Sequence, residues 1–204
     1  MTDTDPTAIF HEMYGAAAAG GPGLPWDRDG PHPLLEPWAR DLDGAGRRAL
    51  VVGSGLGTDA EFIAGRGFDV VGFDVSPTAI GMARERFPGS TVDYRVANLL
   101  DLPGEWAHAF DLVVEIYTVQ SMPIEVHAPA TANIARTVAD GGTLLVIATG
   151  RRDPEVIPDG PPFPLTRAEV EAFATGGLTT EHVEAIVDSG DDPPRWRATF
   201  RRGP

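Results

Sequence analysis

The sequence predicts an α/β fold of the Rossmann-like, doubly wound kind, and three observations carry that expectation. Short β-branched runs alternate with helix-periodic segments from residue 49 to residue 148, the pattern of a mostly parallel sheet with helices on both faces. Residues 49–76, ALVVGSGLGTDAEFIAGRGFDVVGFDVS, read as strand, glycine loop, helix and strand, closed by a carboxylate. The chain then ends on two strand-like runs with no helix between them, which makes a terminal antiparallel pair at one sheet edge. The expected sheet is seven-stranded.

Each element has its own signal. Residues 1–45 differ in composition from the rest, so an amino-terminal helix and lid segment is expected ahead of a domain spanning 46–204. Ile9 to Tyr14, extending toward Ala19, is helical in pattern. GGPGLPWDRDGPHP at 20–33 is too rich in glycine and proline for regular structure. Leu34 to Leu42 reads as a helix and Ala49 to Val52 as a buried strand. Thr58 to Arg66 is a helix stopped by Gly67, and Asp69 to Phe73 a second strand. Ser76 and Pro77 supply an N-cap and a first-turn proline for a helix to Phe87. Thr91 to Val96 and Phe110 to Ile116 are strands three and four. Pro123 to Ala139 is a helix, Asp140-Gly141-Gly142 a turn, and Thr143 to Ala148 strand five. The proline-rich run 151–164 is expected to cover the sheet's carboxyl edge. Thr166 caps a helix to Ala174 with Glu169 at the capping-box position, and Thr179 to Val187 and Arg195 to Arg201 are the final strands.

Composition excludes several kinds of chemistry. The chain has no cysteine, and its 16 basic residues are all arginine, which removes thiolate nucleophiles, disulfides, P-loop lysines and Schiff-base lysines. A formal net charge of −14 argues against nucleic acid and anionic membranes as partners. No apolar run reaches membrane-spanning length, and the amino terminus lacks a secretory pattern. The expected setting is cytoplasmic, with a small-molecule substrate and a monomer or weak homodimer. His11, His32, His108, His127 and His182 are scattered without the paired spacing of metal ligands, so no metal is expected.

The glycine loop selects a cofactor. Gly53, Gly55 and Gly57 remove three Cβ atoms where the chain turns into a helix and a ligand can approach the backbone. Asp74 follows by about the 20 residues at which an acid takes a ribose hydroxyl pair. A dinucleotide loop would have its third glycine one place later, where Thr58 stands, followed by Asp59 in the first helical turn. A carboxylate there disfavours pyrophosphate but tolerates a cofactor bearing an ammonium and a sulfonium. The expected cofactor is S-adenosylmethionine. Gly53 to Gly57, Asp74, Asn98 and Glu115 all fall at expected carboxyl ends of strands, where such folds bind ligands. Asp74 ends a strand and is not expected in the core.

This arrangement resembles the class I S-adenosylmethionine-dependent methyltransferases over essentially the whole chain. The resemblance implies that Gly53, Ser54, Gly55 and Gly57 hold the methionine part, Asp74 and Val75 the ribose, and Asn98 and Leu99 the adenine. Val51 stands where that family often has an acid, and Asn98 where it usually has an aspartate. LPWDRDGPHPLL at 24–35 and GPPFPLTRAEVEAF at 160–173 are similar to segments of the thiopurine and halide/thiol methyltransferase superfamily. That narrower resemblance implies that Trp26 packs on the cofactor beneath a lid, and it favours a thiol, thiopurine-like or halide acceptor. Glu115-Ile116-Tyr117 departs from its usual strand-4 end. The alternatives are an O- or N-methyltransferase of natural products and a non-catalytic nucleoside-binding protein.

Methyl transfer from a sulfonium is an in-line displacement in which the protein aligns groups and excludes water. Aromatic faces and carboxylates suit the cation: Trp26, Tyr14 and Tyr117 supply the first, Asp27 and Glu115 the second. Glu115 is a candidate on the cofactor side, and Glu115 and Tyr117 are candidates on the acceptor side. Tyr14 and Arg152 are candidate substrate contacts. His11 is the candidate base, because the amino-terminal helix can line the site.

Overall fold

A computed structural model describes residues 8–151, 153, 155–156, 159–189 and 192–204. The chain divides into two compact units, residues 1–98 and 99–204. Its seven strands belong to one mixed, mostly parallel sheet, which is the expected α/β class.

The first unit runs α1 (Ala8–Ala18), α2 (Leu35–Trp38), β1 (Arg48–Val52), α3 (Thr58–Ala64), β2 (Asp69–Asp74), α4 (Pro77–Arg86) and β3 (Asp93–Val96). Its strands lie in the order β3-β2-β1, all parallel, with Ala49 opposite Val70 and Phe73 opposite Arg95. Ala49 to Val52 are all buried, as a strand covered on both faces requires. The Ser76 hydroxyl accepts from Ala79 N–H and Pro77 opens α4, so both N-terminal signals act as read. The helix expected over 34–42 is the single turn α2, because proline suits only a first turn and the Asp43 carboxylate turns the chain by accepting from Ala45 N–H.

The second unit runs β4 (Phe110–Ile116), α5 (His127–Thr137), β5 (Val138–Thr149), α6 (Arg167–Glu171), β6 (Leu178–Ile186) and β7 (Arg195–Arg202). The order is β4-β5-β7-β6, with β4 and β5 parallel and β7 antiparallel to both its neighbours. Helix α5 is shorter than expected, preceded by a 3-10 turn over Ile124–Val126. It passes directly into β5, whose pairing with β4 slips between Phe110 and Leu112. Gly141, at φ 69°, lets the chain bulge there while the strand continues. Thr166 and Glu169 form the expected capping box. The run 151–164 leaves and rejoins at β5, with Arg151 N–H on Leu165 O and Leu165 N–H on Thr149 O. Among the described residues no helix is long and apolar enough to cross a membrane.

Candidate functional site

The site assembles in the first unit around the loop between β1 and α3. Gly53, Gly55 and Gly57 have φ of 58°, 52° and 88°, a left-handed run that L side chains rarely adopt. A Cβ at Gly57 would stand 2.2 Å from the Tyr94 hydroxyl oxygen, and one at Gly55 3.0 Å from that of Tyr14. Ser54 N–H is held by Phe73 O and Gly57 N–H by Ser54 O, so the loop is fixed against β2. The Ser54 hydroxyl oxygen is buried and has no hydrogen-bond partner.

Asp74 completes the loop from behind. Its Oδ2 accepts from Gly55 N–H at 3.1 Å and its Oδ1 from Ser76 N–H at 2.9 Å. Burial raises its pKa, opposed by N–H groups of Ser76, Gly55 and Val75 and by the charge of His11. At 7% exposure the side chain is in the core, contrary to the sequence expectation. The reason is tertiary: the glycine loop folds back over the end of β2.

An aromatic cover lies over Gly55. Trp26 Nε1–H donates to the Tyr14 hydroxyl at 3.0 Å, and the two rings meet edge to face at 5.6 Å. Both pack with Leu24, Leu56 and Ala79, and with Phe10 and Met13 of α1. Tyr14 is buried, and burial together with the Asp74 charge raises its pKa. Its oxygen accepts from Trp26 Nε1–H, which leaves its own hydroxyl proton to donate. His11 sits on the same helix, near enough for its charge to act on Asp74.

The segment holding Trp26 is tied down by charges that sequence reasoning missed. Arg28 pairs with Asp59 at 2.9 Å, and Asp59 also accepts from His32 N–H at 2.6 Å. Burial raises the pKa of Asp59, opposed by the His32 N–H and by Arg28. Arg86 on α4 pairs with Asp27 at 2.6 Å and donates to Arg28 O. Asp59 therefore anchors the segment that carries Trp26. These partners are 31 and 59 residues apart, a pairing without local signal.

Asn98 is exposed at the end of the first unit. In the second unit, the Leu99 side chain is buried and its carbonyl accepts from Asn133. Glu115 is fully buried; its Oε1 accepts from Thr118 N–H at 2.7 Å and Val119 N–H at 3.0 Å, while its Oε2 has no hydrogen-bond partner. Burial pushes its pKa up to about 7, against those two N–H groups. The turn it organises carries Tyr117 at φ 62°. Arg152 lies outside the described residues. Thus His11, Tyr14, Trp26, the glycines, Ser54, Asp74 and Val75 come together, while Glu115 and Tyr117 form their own cluster.

Residues 49–142 match a family described as a methyltransferase domain. The ubiquinone biosynthesis O-methyltransferase of Xanthomonas axonopodis pv. citri is 35% identical over 178 residues, covering 81% of this chain and 65% of that protein. The chain thus spans about 65% of the length of this curated relative. Among solved structures, one described as "Conversion of a Disulfide Bond into a Thioacetal Group during Echinomycin Biosynthesis" aligns with a TM-score of 0.76 at 25% identity, over 97% of this chain and 93% of the other. The Burkholderia thailandensis 1,6-didemethyltoxoflavin-N1-methyltransferase, solved with S-adenosylhomocysteine, aligns with a TM-score of 0.75 at 15% identity, over 100% of this chain and 93% of that one. Residues 49–142 thus match a methyltransferase domain, and the chain shares the fold of these solved structures.

Proposed function

We propose that the protein transfers a methyl group from S-adenosylmethionine to the hydroxyl oxygen of a small molecule. The carrying observation is the left-handed Gly53–Gly57 loop tied to Asp74 and roofed by Tyr14 and Trp26. The residues fit that cofactor. The Asp74 carboxylate, with Oδ2 accepting from Gly55 N–H and Oδ1 from Ser76 N–H, keeps acceptor capacity for ribose hydroxyls. The Tyr14 hydroxyl, against Gly55, keeps a proton to donate to a carboxylate, and the unpartnered Ser54 hydroxyl lies buried against Gly72. The Trp26 ring offers an aromatic face to a cation, and Asn98 offers its amide oxygen to the adenine amine. When bound, the cofactor supplies an electrophilic methyl group on a sulfonium.

The hydroxyl acceptor is supported by the relative's name, an O-methyltransferase of 35% identity. We place Tyr117 on the acceptor side, with Glu115 fixing the turn that carries it. Residues 1–45 serve as a helix-and-lid segment for the domain at 46–204. A second reading, transfer to a thiol, thiopurine-like compound or halide, is favoured by the sulfur chemistry named for the echinomycin-pathway structure.

The test is a titration with S-adenosylhomocysteine, followed by a labelled-methyl screen over phenols, alcohols, thiols and halides. Micromolar binding and transfer to hydroxyls are expected. NAD binding without S-adenosylhomocysteine binding would overturn the cofactor, and transfer confined to thiols or halides would establish the second reading. His11→Ala is expected to lose less than about tenfold, because His11 faces Asp74. A loss above about a hundredfold, the range for a general base, would make His11 that base.

A further inference from the structure

The second unit contains a cavity whose chemistry the proposed methyl transfer does not use. It measures about 340 Å³ and is lined by Val119, Ile124, His127, Thr131, Leu165 and Glu169 among others, within the size range of small-molecule sites. His127 opens α5 and is 7% exposed. Its Nε2 is 2.9 Å from Met122 O, a carbonyl that can only accept. Nε2 therefore carries a proton, and in the neutral ring Nδ1 is an acceptor. Nδ1 is buried with no hydrogen-bond partner.

The group facing it is also an acceptor. Glu169 Oε1 stands 3.8 Å from His127 Nδ1, beyond hydrogen-bond reach. Glu169 Oε2 is engaged elsewhere: it accepts from Thr166 N–H and Thr166 Oγ1–H, both at 2.7 Å. Arg151 Nη2 stands 3.5 Å from the same oxygen, buried and without a hydrogen bond. Two acceptors thus flank one point with no donor between them, which is costly for the buried member. An inserted O–H would share its one proton between them as a bifurcated donor.

We propose that this cavity binds a phenol, its hydroxyl seated between His127 Nδ1 and Glu169 Oε1. Arg151 disfavours a cationic donor such as an ammonium, and it favours a hydroxyl that gains negative charge by donating. Val119, Ile124 and Leu165 give apolar walls, and the Phe163 ring stands edge-on to the imidazole at 6.4 Å. These suit an aromatic ring better than a sugar or an alkyl alcohol carrying further polar groups.

The test compares 4-cyanophenol with its methyl ether, which keeps the shape and lacks the donor. Binding is followed by calorimetry and saturation-transfer NMR on the full chain saturated with S-adenosylhomocysteine. The phenol is expected to bind at least tenfold more tightly than the ether. His127→Phe should erase that difference. Ala132→Trp, at an exposed position on the cavity rim, should block both compounds without touching the core. Equal binding of phenol and ether would overturn the proposal, since the imidazole would then not be accepting a proton. Absence of phenol binding, or binding unchanged in both variants, would overturn it as well.

Discussion

The backbone N–H of Gly55 donates to Asp74 Oδ2 at 3.1 Å, so the residue expected to hold ribose also holds the glycine loop in shape. Asp74→Ala should therefore do two things. Cofactor affinity should fall by roughly 2–4 kcal/mol, the cost of truncating a charged hydrogen-bonding partner. Folding stability should fall by about 1–2 kcal/mol, because Gly55 and Ser76 N–H groups lose their acceptor. Asp74→Asn keeps one acceptor oxygen and should recover most of the stability while affinity stays low. Titration with S-adenosylhomocysteine and thermal unfolding separate the two effects; affinity unchanged in both variants would remove Asp74 from the cofactor site.

Gly57→Ala tests the loop's backbone. The added Cβ would meet the Tyr94 hydroxyl at 2.2 Å, at a φ of 88°. The variant should lose at least about 1–3 kcal/mol from strain. Tyr94→Phe removes the clashing oxygen, so the double variant should be more stable than the two single losses added together. Strict additivity would show that the clash is relieved by loop movement.

Arg28→Ala tests the anchoring of the segment at 20–33. The side chains of Arg28 and Asp59 are only 28% and 14% exposed, so the pair is better shielded than the Asp27–Arg86 contact on the surface. In this variant the segment 20–33 should become protease-sensitive, and S-adenosylhomocysteine should restore protection through Trp26. Wild-type Trp26 fluorescence should change on the same addition, reporting closure. Unchanged proteolysis in Arg28→Ala would show that the aromatic packing of Trp26 suffices alone.

Glu115 predicts a pH dependence of stability. Its pKa is raised from 4.5 to about 7 in the folded chain, so the folded state holds this proton more tightly than the unfolded state does. The stabilisation is complete below about pH 4.5 and is lost as pH rises through about 7. At about 1.4 kcal/mol per pH unit, that gap corresponds to about 3 kcal/mol. Glu115→Gln keeps an acceptor for Thr118 and Val119 N–H, and removes the titration. Urea unfolding across pH 4–8 should show a decline in wild type that is flattened in the variant; parallel profiles would place the proton elsewhere.

The strand and helix order, the three glycines, the Ser76 cap and the Thr166–Glu169 capping box were legible in the sequence because each depends on residues within a few positions. The cofactor type was legible for the same reason: loop spacing and the distance to Asp74 are local quantities. Tertiary structure decided the rest. Asp74 became buried because the glycine loop folds back onto β2, and Asp59 became an anchor because Arg28 and His32 arrive from about 30 residues away. His127, scattered among other histidines in the sequence, gained its Nε2 contact to Met122 O and an Nδ1 without a hydrogen bond only through the packing that brings Glu169 beside it. Composition and spacing record which groups a chain carries. Which of them share a proton or face a charge depends on long-range packing, and no local pattern encodes it.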